Sequence, residues 1–308
     1  MDLSELVEQI RTGALAPVDA PAESDFYAAW QQREVSSPDP FRTAATGGAL
    51  ADRLAWVFIA GYQATLIRCF PTVSATSGWC ALVNTEERTG SLPGTSLITE
   101  GDSKRLYGWK TWVAAVDHVD LLMVSARHNE PPILAIPRSQ EGVHLTSGAP
   151  KAYLAEMSQG QARFDGVQIT DGQIVGDDET FRAFRASEGA YVRVALNAFI
   201  LSHASRLGAD ATLIGGAIAG LFEAQGVLEQ PLPSPLVSLA LIGVDSQTTW
   251  LASEFEAFIR ERDPGLWARW NGDSRLVHGA SSSMASRAEA ALAVWRTGAL
   301  SGTSRAHS

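Results

Sequence analysis

The sequence is short of the features that usually announce a function. Its 308 residues hold two cysteines, Cys69 and Cys80, too few for the disulfide framework of a small secreted domain. No group of Cys and His has zinc-ligand spacing, so no metal site is expected. Lysine occurs only as Lys104, Lys110 and Lys151; the other basic side chains are arginines. With 24 Lys+Arg against 34 Asp+Glu the formal charge is -10. That field repels phosphate and excludes general nucleic-acid binding. The longest apolar runs, near Leu213–Phe222 and Leu236–Val244, contain glycine or serine and fall short of the ~18–20 residues of a membrane span. The opening MDLSELVEQI alternates charged and apolar residues, unlike the basic-then-apolar plan of a secretory leader. A cytoplasmic protein that enters no membrane is expected. There is neither a G-x-S-x-G elbow nor a Walker loop. The glycines of Gly215-Gly216-Ala217-Ile218-Ala219-Gly220 follow no strand and lack dinucleotide spacing, so they read as close helix packing.

What is present is an ordinary globular composition, 45% apolar and 19% charged, long enough for about two domains. Residues 1–75 read as helical: a weak cap signal at Ser4, a short helix over Asp25–Gln32, an interruption at SSPDPF, then a long apolar helix over Gly48–Phe70. Residues 76–178 shorten to strand-length runs. They are Trp79–Asn84, Thr95–Thr99, Arg105–Tyr107, Thr111–Ala115, Leu121–Ala126, Ile133–Pro137, Val143–Leu145, Gln161–Ile169 and Gln173–Val175. Turn signals at Leu92-Pro-Gly, Glu100-Gly-Asp, Glu130-Pro-Pro and Thr170-Asp-Gly separate them. So many short strands suggest a barrel or sandwich. Residues 179–308 return to helix: Glu179–Leu207, Asp210–Gln225 with Gly226 as its stop, a linker at Pro231–Pro235, Leu236–Arg262, Asp273–Trp295 and a polar tail.

Three stretches of the middle resemble the acyl-CoA dehydrogenase family. Arg105-Leu-Tyr-Gly-Trp-Lys-Thr-Trp-Val-Ala-Ala, followed by Asp117-His-Val-Asp, is similar to that family's Lys-x-(Trp/Phe)-Ile-(Ser/Thr)-Asn strand pair. Glu156-Met-Ser-Gln-Gly-Gln-Ala-Arg-Phe-Asp-Gly-Val-Gln-Ile is similar to its Gly-x-Arg…Phe-(Asp/Glu)-x-Val strand, and Ile174-Val-Gly-Asp to its entry into the first long C-terminal helix. Order and spacing agree over about residues 76–205. The resemblance implies an α+β multidomain fold with N-terminal helices, a central β-barrel and a C-terminal helical bundle. The segments would be 1–75, shorter than the family's, then 76–178 and 179–308. It implies FAD, an acyl thioester carried by coenzyme A or a carrier protein, and a homodimer or tetramer formed through the C-terminal helices.

The resemblance also places individual residues. Trp112 falls where the family stacks an aromatic on the flavin; a strand aromatic buried in the barrel is the other reading. Ala114 stands where a Ser or Thr usually bonds the flavin, so only its backbone can serve. Thr85 and Glu86 match a Thr-Glu pair whose loop contacts flavin and thioester, but the following Glu87-Arg88-Thr89-Gly90 departs from the family, and a charged surface turn is the alternative. The family's Glu-Arg pair, with the base that removes a proton alpha to the thioester carbonyl, aligns with Val192-Arg193. Valine cannot be a base. The second family position for a base aligns with Gly279–Ser283, which has no carboxylate. Glu188, one turn before Val192, is the replacement candidate, with a solvated helix glutamate as the alternative. Arg193 could hold an anionic phosphate or pair with a carboxylate, and His278 lies near the second lost base position. The stretches that usually bind the adenine half of FAD are missing.

Two function classes follow. One is a flavin-dependent oxidoreductase that dehydrogenates an acyl thioester. The other is a flavin-free relative acting as the non-catalytic subunit of a homologous partner, or as a thioester-binding protein.

Overall fold

The computed structural model describes residues 3–74, 78–101, 103–128, 131–230, 234–279 and 281–297. The turn residues Asp102 and Glu130, the start of the 231–235 linker, Ala280 and the tail beyond Thr297 lie outside them. The elements run α1 (Leu3–Arg11), α2 (Glu23–Gln32), α3 (Pro40–Leu50), α4 (Leu54–Cys69), α5 (Pro71–Ser74), β1 (Cys80–Val83), β2 (Ser96–Glu100), β3 (Ser103–Ala114), β4 (Leu121–Ser125), β5 (Ile133–Pro137), β6 (Val143–Ser147), β7 (Gln159–Ile169), β8 (Ile174–Gly176), α6 (Asp178–Leu207), α7 (Ala211–Leu228), α8 (Pro235–Arg262), α9 (Pro264–Gly279) and α10 (Ser281–Arg296). Helices, then strands, then long helices is the order the periodicity predicts. The chain forms two compact units: Val18–Thr43 with Tyr62–Phe184, and Met1–Pro17 with Ala44–Gly61 and Arg185–Ser308. The N-terminal helices are thus divided between them.

In the first unit two four-stranded sheets, ordered β1-β4-β5-β8 and β2-β3-β7-β6, share one apolar core. Ala81, Val83, Leu122, Val124, Leu134 and Ile136 come from one sheet; Leu106, Val113, Ala162, Phe164 and Val167 come from the other. The sequence suggests two strands over Arg105–Ala115, yet β3 is continuous. Gly108 is the reason. It sits at φ +121, and a Cβ there would stand 2.7 Å from Thr95 Cα. It marks a close backbone approach in a bulged strand rather than a turn. The register shifts at Leu106/Tyr107 and again at Lys110/Val113.

The second unit is helical, with α8 packed on α7, α9 and α10. Glycines set its closest approaches. A Cβ on Gly48 would lie 2.6 Å from Ala195 Cα, and one on Gly61 would lie 2.7 Å from Val192 Cγ2. Gly220 faces the Asn197 amide, whose Cγ would be 2.8 Å from a Cβ there. At the start of α7, Gly216 (a Cβ would be 2.9 Å from Leu251 Cδ1) and Gly220 pack closely, as the sequence suggests, while Gly215 meets open space. α7 runs past Gly226 because Leu228 buries and Gly226 meets open space. At 18 residues and a mean hydropathy of 1.4, α7 is long and apolar enough to cross a membrane, and 33% of it is buried. The helix expected over Asp273–Trp295 is two, α9 and α10, and α9 starts earlier, at Pro264. Asp263-Pro264 reads as a stop, but it also starts the next helix: Asp263 Oδ1 accepts the Leu266 N–H (2.9 Å), with proline at the first helical position. The single expected helix over Gly48–Phe70 is two, broken at Asp52-Arg53.

Candidate functional site

The end of β3 carries the residues that the resemblance singles out. Trp112 is half-buried. Its Nε1–H donates to Gln159 Oε1 (3.1 Å), and its ring meets Tyr62 edge-on, 6.3 Å between centroids at 82°. Ala114 is fully buried and pairs in the ladder with Gln159; it offers a methyl group and nothing polar. Thr85 is exposed. Its carbonyl accepts the backbone N–H (2.8 Å) and hydroxyl (3.3 Å) of Thr111, and its own hydroxyl bonds to no described residue.

Glu86 is no surface charge. Its side chain is 18% exposed. Oε1 accepts the Thr95 N–H (2.9 Å) and the Lys110 ammonium (3.0 Å), while Oε2 pairs with Arg127. Burial alone would raise this carboxyl, but the Lys110, Thr95 and Arg127 bonds outweigh it and hold the pKa below the usual carboxylate range. Lys110, 2% exposed, goes the other way: loss of solvent pulls the ammonium down more than Glu86 raises it. Lys110 also donates to Ser125 Oγ (3.1 Å), and Ser125 in turn donates to Asn84 Oδ1. The network ties the Asn84–Glu86 loop to β3 and β4. A lysine between Trp109 and Trp112, in a chain with three lysines, is the one signal in the sequence that could have flagged it.

A second polar cluster lines a cleft of ≈ 420 Å³ on the same unit. Buried Glu23, at the first turn of α2, accepts His118 Nδ1–H (2.7 Å) and Ser158 Oγ–H (2.8 Å) as well as the Ser158 N–H. A carboxylate only accepts, so it selects the Nδ1–H tautomer of His118. Tyr27, one turn further along α2, donates to Asp120 Oδ2 (2.7 Å). Together these bonds clamp α2 to the β3–β4 turn, where Ala115 takes φ 50.

On α6, Glu188 is half-buried. Val192 lies against the backbone of Gly61, so the position aligned with the family's base is occupied by helix packing. Of the two roles open to Arg193, the structure shows the carboxylate pairing. Its guanidinium is buried, Nε–H donates to Asp245 Oδ1 (2.6 Å), and a terminal N–H donates to the Val277 carbonyl (3.2 Å). It joins α6 to α8 and α9. His278 Nε2 lies 3.5 Å from Glu256 Oε2.

No family model matches the sequence, and no curated protein matches it. Solved structures do resemble the fold. An FAD-dependent dehydrogenase is 14% identical, with 96% of this chain and 98% of that one covered at a TM-score of 0.65. The prolyl acyl carrier protein oxidase AnaB is 14% identical, over 88% and 92%, at 0.61. A glutaryl-CoA dehydrogenase from Mycobacterium smegmatis, in complex with FADH2, is 11% identical, over 100% and 96%, at 0.60. Such identity carries architecture and leaves activity to the residues. Superposed over most of its length on each of these structures at TM-scores of 0.60–0.65, the protein has the acyl-CoA dehydrogenase fold.

Proposed function

We propose that the protein is a flavin-dependent oxidoreductase acting on an acyl thioester, with Trp112 as the flavin platform. The observation that carries this reading is the state of Trp112: a half-buried indole, hydrogen-bonded at one edge and wedged at another, on the strand where the resemblance places the aromatic that stacks on flavin. A planar ring system fits such a platform. Thr85 adds an uncommitted hydroxyl, and Ala114 adds only shape. FAD, when bound, supplies the two-electron acceptor. Glu188 is proposed as the base. It would take the proton alpha to the thioester carbonyl as hydride leaves the beta carbon, so that one C=C bond forms and the acceptor is reduced by two electrons. Coenzyme A and carrier-protein thioesters both suit the reading, since the similar structures include enzymes named for each.

A homodimer or tetramer goes with this proposal. α7 and α8 leave Phe222 and Trp250 about half exposed, at 53% and 47%. A strictly monomeric species in light scattering would remove this part.

One observation favours the second reading, a flavin-free partner subunit: the base position on α6 holds Val192, packed on Gly61. The test is a visible spectrum of the purified protein before and after adding FAD, followed by turnover of acyl-thioester panels with an artificial electron acceptor. Flavin bands, turnover, and loss of turnover in Glu188→Gln with flavin retained are expected. A flat spectrum in both samples overturns the flavin reading for this chain alone. Full turnover in Glu188→Gln overturns the choice of base.

A further inference from the structure

We infer that Gln159 is the positioning residue of Trp112, and that it links the orientation of this platform to the loop between β6 and β7. The use of the platform rests on the flavin reading; its orientation does not.

Gln159 opens β7 and is 4% exposed. Both ends of its amide are engaged: Oε1 accepts the indole N–H of Trp112 (3.1 Å), and Nε2 donates to the Tyr153 carbonyl (3.3 Å). The indole can only donate and the carbonyl can only accept, so the amide has one orientation. The Gln159 backbone is equally committed. It pairs with Ala114 across the ladder, and its carbonyl accepts the Gly148 N–H (2.8 Å).

An indole has a single polar atom, so one hydrogen bond fixes the edge of the ring but leaves rotation about that bond. Tyr62 removes the remaining freedom. It stands at 82° to the indole, and its hydroxyl accepts the Leu82 N–H (2.7 Å). Two fixed contacts on different sides define one ring plane. At Ala114, where a hydroxyl would otherwise be available, there is nothing polar, which leaves Gln159 as the polar side chain holding Trp112 at this end of the sheet. The other end of the relay is a loop that carries Tyr153, 43% exposed, beside Leu154 at φ 49. A displacement of that loop moves the Tyr153 carbonyl, then the amide, then the indole.

The test compares Gln159→Met, which keeps the volume and removes both bonds, with Trp112→Phe and the double variant. The first readout is near-UV circular dichroism of the protein without flavin. The difference between wild type and Trp112→Phe isolates the Trp112 band, and Gln159→Met should abolish most of that difference while leaving the far-UV spectrum unchanged. The second is FAD affinity by quenching of flavin fluorescence. Gln159→Met should weaken it about tenfold, the size of one net hydrogen bond, and should have no further effect once Trp112 is phenylalanine. An equal loss in both backgrounds, or a Trp112 band untouched by Gln159→Met, overturns the proposal. If wild type takes up no FAD, the flavin reading falls, and the flavin-free dichroism cycle still decides whether Gln159 positions Trp112.

Discussion

The two compact units differ in how they satisfy their buried polar groups. The β unit closes them into hydrogen-bonded clusters: Lys110 with Glu86 and Arg127, Glu23 with His118 and Ser158, and Trp112 with Gln159. The helical unit also buries ion pairs, Arg193 with Asp245 and Arg53 with Asp52, but it relies more on glycine-mediated backbone contact and leaves acceptors idle. Of the buried side-chain atoms without a partner among the described residues, Asn197 Oδ1, Gln247 Oε1 and His203 Nδ1 belong to it, and Trp79 Nε1 alone to the β unit. The difference follows from geometry. A sheet brings side chains of distant strands face to face, so complementary charges can meet. Helices packed at glycine spacing put backbone against backbone, which leaves little room for a donor beside each acceptor. The β unit should therefore suffer from losing a group, and the helical unit from gaining one.

The largest effect expected from this contrast is at Glu86. Glu86→Leu strands a buried ammonium and should cost about 3–5 kcal/mol in urea unfolding. The double variant with Lys110→Met should recover most of it. If the single change is mild, the cluster is not what holds this loop.

Acid should expose the helical unit's weakness next. Burial pushes His203 from its ordinary 6.5 down to about 4, and Nε2–H donates to the Ala51 carbonyl (3.0 Å). Below pH 6.5 the unfolded chain binds a proton that the folded chain refuses. The contribution is thus intact above pH 6.5 and is lost as pH falls toward 4, by about 1.4 kcal/mol per unit and about 3 kcal/mol in all. Melting curves over that range should show the slope, and His203→Phe should flatten it; an unchanged slope would assign the acid sensitivity elsewhere.

Gly48→Ala should then destabilise by about 2–3 kcal/mol, since the new methyl meets the Ala195 backbone, which cannot rotate away. Gly226→Ala is its mirror. That glycine meets open space on an exposed helix, so alanine should stabilise by about 0.5–1 kcal/mol. Equal signs at the two positions would break the comparison.

Much of the architecture was legible in the residues. β1, β4, β5 and β7 fall within a few residues of their strand-length runs, and α6 and α8 nearly match their helical stretches. The misses come from residues that do two jobs. Gly108 breaks the apolar run yet sits paired in a continuous strand at a close backbone approach, Asp263-Pro264 ends one helix and starts another, and Gly226 looks like a stop although Leu228 still needs to bury. The site was less legible. Trp112 and Thr85 were reached through resemblance alone. Gln159 was not reached, because a glutamine opening a strand has no signature of the tryptophan it will meet.

The sequence by itself determined the periods and the order of helices and strands, because these depend on neighbours a few residues apart; tertiary contact decided where only glycine could stand, as at Gly48 against Ala195. Tertiary structure decided which polar groups became partners. Trp112 and Gln159 are 47 residues apart, and Arg193 and Asp245 are 52 apart. Such bonds form only when sheet closure or helix packing brings distant segments within 3 Å, and desolvation then makes each one matter far more than it would in the extended chain.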